Sequence, residues 1–143
     1  MRQQQKGFTL LEVLVAIVVL SIGLLGLAGL MATSMRNTHS AYQRTQAAWL
    51  AYDVIDRMRV NRAAALAASN NYNITLGTAT SASSGLAGTD INDWKATLAN
   101  ALPAGNGSVT TVSATGRVTV VVQWNDTRAG GSNTQQLQVD TQL

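Results

Sequence analysis

Lys6-Gly7-Phe8-Thr9-Leu10-Leu11-Glu12 runs directly into VLVAIVVLSIGLLGLAGLMA, residues 13–32, twenty consecutive positions without a charge. Residues 13–20 carry no polar side chain at all. Twenty residues rise roughly 30 Å as a helix, about the hydrocarbon thickness of a bilayer. A core helix of a soluble protein alternates faces, whereas this stretch is apolar all round. It reads as a membrane-embedded helix. An ordinary secretory signal would end at a small-residue cleavage site, which Ala28, Ala32 and Ser34 imitate. Glu12 stands inside the hydrophobic region, where a signal core has no acid, and the helical pattern continues past Ala32 without a break. Arg2 and Lys6 favour a cytoplasmic N-terminus, against which Arg36 and Arg44 weigh.

Outward from the span, the chain turns amphipathic. Met35, Tyr42 and Trp49 recur at seven-residue intervals, with Leu50, Val54 and Met58 as a neighbouring stripe. Both stripes are expected to form a core face. No proline precedes Pro103, so one helix is expected from about Phe8 to about Ala67, roughly 90 Å long. Gly23, Gly26 and Gly29 interrupt the span, each lowering helix propensity by roughly 1 kcal/mol relative to alanine. They point to local flexibility or close helix packing, although lipid alone tolerates such residues.

From Ser69 onward Ser, Thr, Asn and Gln dominate. Residues 70–88 read as a long surface connection. Thr89 or Asp90 is placed to cap a short helix through about Leu102, with Ile91, Trp94, Leu98 and Leu102 on one side and Pro103 and Gly105 ending it. Strands are expected over 109–114, 117–124 and 135–141, with Thr115-Gly116 and Ala129-Gly130-Gly131-Ser132 as turns. Val118, Val120, Val122 and Trp124 share one face of the middle strand, and Leu137 and Val139 give the last strand the same alternation. The fold class is α+β: a long N-terminal helix whose inner half is transmembrane and whose outer half packs on a small antiparallel sheet of about three to four strands, with one short extra helix. The divisions expected are 1–7, 8–33, 34–68 and 69–143.

Composition removes several function classes. The chain of 143 residues has no cysteine and one histidine, which excludes a disulfide scaffold, a thiol enzyme and a His-cluster metal site. Ten basic residues face seven acidic ones; without Arg2 and Lys6 the balance is eight to seven. The pI near 9.8 is therefore weak support for nucleic-acid binding, and no nucleic acid is expected as a partner. His39 reads as a surface residue, and Asp90 with Asp93 lack the alternating oxygen ligands of a calcium loop. Arg117, Arg128 and Trp124 read as hairpin residues rather than a nucleic-acid surface. Asp53, Asp56, Arg57, Arg59 and Arg62 read as a solvated helix face carrying pairs such as Asp53–Arg57. Asn73-Ile74-Thr75 is formally a glycosylation sequon. No phosphate-binding glycine loop or nucleophile–base pair appears, so neither an enzyme, a metal nor a cofactor is expected.

A short basic leader, Gly7, Phe8 and then Glu12 at the start of an apolar helix resemble the class III signal of type IV prepilins and pseudopilins. The resemblance implies cleavage between Gly7 and Phe8 by a membrane-embedded prepilin peptidase, N-methylation of Phe8, and retention of residues 8–33 as the transmembrane and filament-core half of the helix. Thr9-Leu10-Leu11-Glu12 also fits a capping box, in which Glu12 reaches back to the helix start. In an assembly, the Glu12 carboxylate of one subunit can instead neutralise the Phe8 amine of its neighbour. A carboxylate in lipid costs a few kcal/mol unless it is paired, so that pairing would also set axial register.

Ser21-Ile22-Gly23-Leu24-Leu25-Gly26-Leu27-Ala28 and Ala51-Tyr52-Asp53-Val54-Ile55-Asp56-Arg57-Met58-Arg59-Val60-Asn61-Arg62 resemble the minor pilins of PilV type. That resemblance implies a subunit acting in pilus assembly, priming or modification within a minor-pilin complex. Its partners would be other minor pilins, the major pilin, the peptidase and inner-membrane lipid, in a hetero-oligomer. The C-terminal domain would be periplasmic and later extracellular in the pilus. A minor pseudopilin of a type II secretion system is the neighbouring alternative. An adhesin or DNA-binding module merely anchored by the helix is the alternative from a different class.

Overall fold

The structure is a computed structural model that describes residues 7–143; the expected leader, with Arg2 and Lys6, lies outside these residues except for Gly7. Helix α1 spans Leu10–Val60. It contributes to two compact units, one ending at Asn37 and the other comprising Thr38–Leu143.

In the first unit every large apolar side chain of α1 is exposed, from Val13 at 50% to Leu10 at 83%. An 18-residue window of the helix reaches a mean hydropathy of 2.8 with none of it buried in the chain. α1 is long and apolar enough to cross a membrane, and its surface here matches hydrocarbon rather than water.

In the second unit the same helix buries one stripe: Gln43, Ala47, Leu50, Ala51, Val54, Ile55 and Met58. Leu50, Val54 and Met58 were expected there. Met35, Tyr42 and Trp49 were expected there too, yet they are exposed by 72%, 62% and 66%. The seven-residue spacing does place them on one face, but the small residues Ala47 and Ala51 line the face that is covered. Close approach of the sheet and the second helix selects small side chains, so the bulkier aromatic face is left outside.

α1 stops at Val60, short of the expected Ala67. Asn61 breaks it at φ −107° and ψ 42°, and a single turn, α2, follows over Arg62–Ala65. Tertiary bonds take over at the break: Asn61 Nδ2 donates to Tyr72 Oη at 3.0 Å, and Arg62 donates to the Leu143 carbonyl at 3.0 Å.

α3 spans Gly85–Ala101, starting a turn earlier than expected, and Ser84 at its N-cap position makes no side-chain capping bond. Asp90 is not the cap. Its carboxylate accepts the Tyr72 hydroxyl at 2.6 Å and lies 3.8 Å from Arg57. Ile91, Trp94, Leu98 and Leu102 are all buried as expected. Trp94 Nε1 donates to the Leu50 carbonyl at 2.8 Å, tying α3 to α1. The connection before α3 is not wholly superficial either, since Tyr72 and Ile74 are buried and Ile74 bridges to Val109.

Three antiparallel strands, β1 Asn106–Val112, β2 Arg117–Trp124 and β3 Gln135–Gln142, lie in the order β1-β2-β3. β1 begins earlier than the sequence suggests because Gly107 belongs to it. A β-carbon at Gly107 would fall 2.5 Å from the Trp94 ring, so glycine here is a packing requirement. Gly116 turns β1 into β2 at φ +69°, a conformation glycine adopts without steric cost. Val109, Val118, Val120, Val122 and Trp124 point inward and close the core with α1 and α3.

Candidate functional site

Phe8, Glu12, Ala16 and Leu20 recur at four-residue steps, which stacks them on one side of a helix, and Val13 and Ile17 border the same side. Glu12 is the sole ionisable group of that strip. Thr9 precedes the first helical residue, and its Oγ1 accepts the Glu12 backbone N–H at 3.3 Å. That is the threonine half of the capping box expected from the sequence. It satisfies one of the N-terminal donors that a helix leaves open.

The Glu12 carboxylate is engaged by no cation within 4 Å among the described residues. Phe8 is 84% exposed. The strip thus presents an apolar surface with one acid, and that acid lies one helical turn from Phe8. Burial of that acid in lipid or protein is favourable only with a positive partner.

Gly23, Gly26 and Gly29 all lie within continuous α1, and a β-carbon at any of them would meet open space. Nothing inside this chain requires glycine at these positions.

Residues 2–28 match the model of the prokaryotic N-terminal methylation motif, and residues 29–89 match that of type IV pilin Tt1218. The fold is that of a type IV pilin. Neither the curated proteins nor the solved structures contain a significant match. Residues 90–143 lie beyond both matched regions. The pilin motif implies processing by a prepilin peptidase and assembly with other pilins, and the apolar helix fits membrane anchoring. Pilins are structural rather than enzymatic subunits.

Other singled-out residues of the chain have ordinary structural work. His39 is exposed and its Nε2 lies 3.0 Å from Gln43 Nε2. Asp53 accepts from Arg57 at 3.0 Å and Asp56 from Arg59 at 2.8 Å. Arg57 also faces Asp90, so Asp53, Arg57, Asp90, Tyr72 and Asn61 form one continuous network linking α1 to the connection before α3. Burial, reinforced by the Asp90 hydrogen bond, pushes the Tyr72 hydroxyl up to about 12. Trp124 is buried, where it cannot stack on a base, and Arg117 is drawn to Asp140 at 3.6 Å.

Sequence reasoning missed two things. Lys95 is buried on α3, its ammonium donating to Asn106 Oδ1 and, at 2.8 Å, to the Gly107 carbonyl; desolvation lowers its pKa. The Met35, Tyr42 and Trp49 stripe of α1, expected in the core, is more than half exposed at each position. The signal that separates it from the buried stripe is the spacing of Ala47 and Ala51.

Proposed function

We propose that the chain is a minor pilin of PilV type, which helps to assemble, prime or modify a type IV pilus within a minor-pilin complex. The observation that carries this reading is the lone Glu12 carboxylate on an otherwise apolar helical strip, one turn from Phe8. Removal of residues 1–7 frees the Phe8 amine. When apolar helices leave lipid and bundle, Glu12 of one subunit neutralises the Phe8 amine of the next. A charge pair in low dielectric tolerates little displacement, so the contact sets axial register as well as relieving the burial cost.

On this reading the N-terminus is cytoplasmic, residues 8–33 span the inner membrane, and the Thr38–Leu143 unit is periplasmic before it leaves with the pilus. Its partners are the prepilin peptidase, the major pilin, other minor pilins and inner-membrane lipid. Gly23, Gly26 and Gly29 lower helix propensity where the helix must pass from lipid into a bundle. The exposed aromatics of α1 support subunit contact, because tyrosine and tryptophan concentrate at the energetic centres of interfaces.

Mass spectrometry of the mature protein tests the reading. N-methylated Phe8 is expected as the first residue; an intact leader, or a start near Thr33, overturns it.

A further inference from the structure

Lys95 stands apart from the other cations of the chain. The sequence has two lysines, Lys6 in the expected leader and Lys95, and its other basic residues are arginines apart from His39. Lys95 is only 6% exposed. No carboxylate lies within 4 Å of its Nζ among the described residues. A buried ammonium without a counter-ion is costly, and lysine escapes the cost by giving up its proton. Burial pulls the Lys95 pKa down accordingly. Arginine could not respond in this way, because its guanidinium stays protonated.

Two acceptors meet this amine. Its N–H groups reach Asn106 Oδ1 and, at 2.8 Å, the Gly107 carbonyl. Those bonds use both hydrogens of a neutral amine and leave its lone pair free. The carboxamide carbon of Asn106, Cγ, is one carbonyl bond away from the oxygen that Nζ already touches. Oδ1 also accepts the Gly107 backbone N–H at 2.7 Å. That donor sits where an amide oxygen gains charge under nucleophilic attack. The surroundings are apolar: a β-carbon at Gly107 would fall 2.5 Å from the Trp94 ring and 2.8 Å from Leu98 Cδ1.

We infer that Lys95 and Asn106 join covalently, in an intramolecular isopeptide bond that ties α3 to the first residue of β1. The Nζ lone pair attacks Cγ, and the carbonyl electron pair moves onto Oδ1, where the Gly107 N–H holds it. One Nζ proton then passes to Nδ2. The carbonyl re-forms, the Cγ–Nδ2 bond breaks, and Nδ2 leaves as ammonia. The new Nζ–Cγ bond replaces Cγ–Nδ2, nothing is oxidised or reduced, and no further reactant enters. The fold holds amine and carboxamide in contact, so the step is intramolecular and its entropic cost is met in advance. The product closes a loop between positions 95 and 106, which restricts the unfolded chain as a disulfide would, in a sequence without cysteine.

Trypsin digestion of the denatured full chain tests this. Lys95 is the single basic residue between Arg62 and Arg117, and trypsin does not cut after an acylated lysine. The expected product is one peptide, 63–117, lighter than its sequence mass by one ammonia, about 17 Da. In fragmentation, pieces that part between positions 95 and 106 should stay joined through the two side chains. Asn106→Ala and Lys95→Arg should each give 63–95 and 96–117 at full mass. Cleavage of the parental chain after Lys95 overturns the inference, whether 96–117 then keeps its full mass, has lost ammonia to the Gly107 nitrogen, or carries aspartate at position 106. An uncut 63–117 of full mass overturns it too, as does an uncut, lighter peptide in Asn106→Ala. The parental measurement requires no variant to fold. The peptide lies outside the leader and the apolar span, so the result is independent of how Phe8 is processed.

Discussion

The part of α1 before Asn37 and the part after it are one helix with opposite relations to solvent. Before Asn37 the large apolar side chains are all exposed within the chain; after it, Leu50, Val54, Ile55 and Met58 are at most 7% exposed. Helical propensity cannot account for the difference, since α1 is continuous through both. What differs is the partner: the second half is covered by α3 and the sheet, and the first is matched to something outside the chain. Secondary structure and hydrophobicity are thus separate instructions. A helix whose apolar side is uncovered within its own fold points to a partner that the fold lacks.

Several substitutions break or sharpen this contrast. The largest effect is expected in the covered half. Trp94→Ala removes a fully buried ring and its bond to Leu50, and should destabilise the Thr38–Leu143 unit by about 3–5 kcal/mol. Chemical unfolding followed by near-UV circular dichroism of the detergent-solubilised protein measures this, and the helicity of the apolar segment should survive. If both halves melted together, the division at Asn37 would be mistaken.

In the uncovered half, Glu12→Ala should leave membrane insertion and cleavage intact but reduce incorporation into sheared filaments on the order of a hundredfold, the scale set by breaking a buried charge pair. Normal incorporation would mean that the Thr9 cap is reason enough for this stretch of sequence.

A pH experiment probes the network behind the covered half. Tyr72 holds its proton more tightly folded than unfolded, with its pKa raised from 10.0 to about 12. The associated stability is present in full below pH 10 and is lost as pH climbs from 10 through 12, by up to roughly 2–3 kcal/mol. Tyr72→Phe should flatten that fall relative to the parent when urea midpoints are compared across this range. An equal slope in both proteins would exclude Tyr72 as the source.

The smallest change is expected on the outer face of α1. Trp49→Ser removes an exposed ring and should shift stability by no more than about 0.5 kcal/mol, measured by thermal melting. A large loss would instead place Trp49 in the core.

Much of this was legible from residues alone. Arg117–Trp124 was recovered as a strand because its valines alternate against threonine and glutamine, and Pro103 marks where α3 ends because it cannot continue a helix. The Glu12 strip was legible because an acid in an apolar run is conspicuous. The α3 start was not, because Asp90 looks like a cap in sequence but is recruited by Tyr72 and Arg57 from elsewhere in the chain. The first residues of β1 were missed for a similar reason. Asn106-Gly107 has the local character of a turn, and only the Trp94 ring resting on Gly107 gives that glycine a place in a strand.

Local chemistry was enough for whatever depends on chain-neighbour spacing: the apolar span, the acid beside Phe8, the helix breakers and the alternating strands. Which face of α1 is covered and which acid is a cap were settled by contacts between residues far apart in the chain. Periodicity assigns residues to faces but carries no label for the face another element will occupy. That choice is made by how closely the elements can approach, and here Ala47, Ala51 and Gly107 allowed the close contact while Tyr42 and Trp49 were left on the outside.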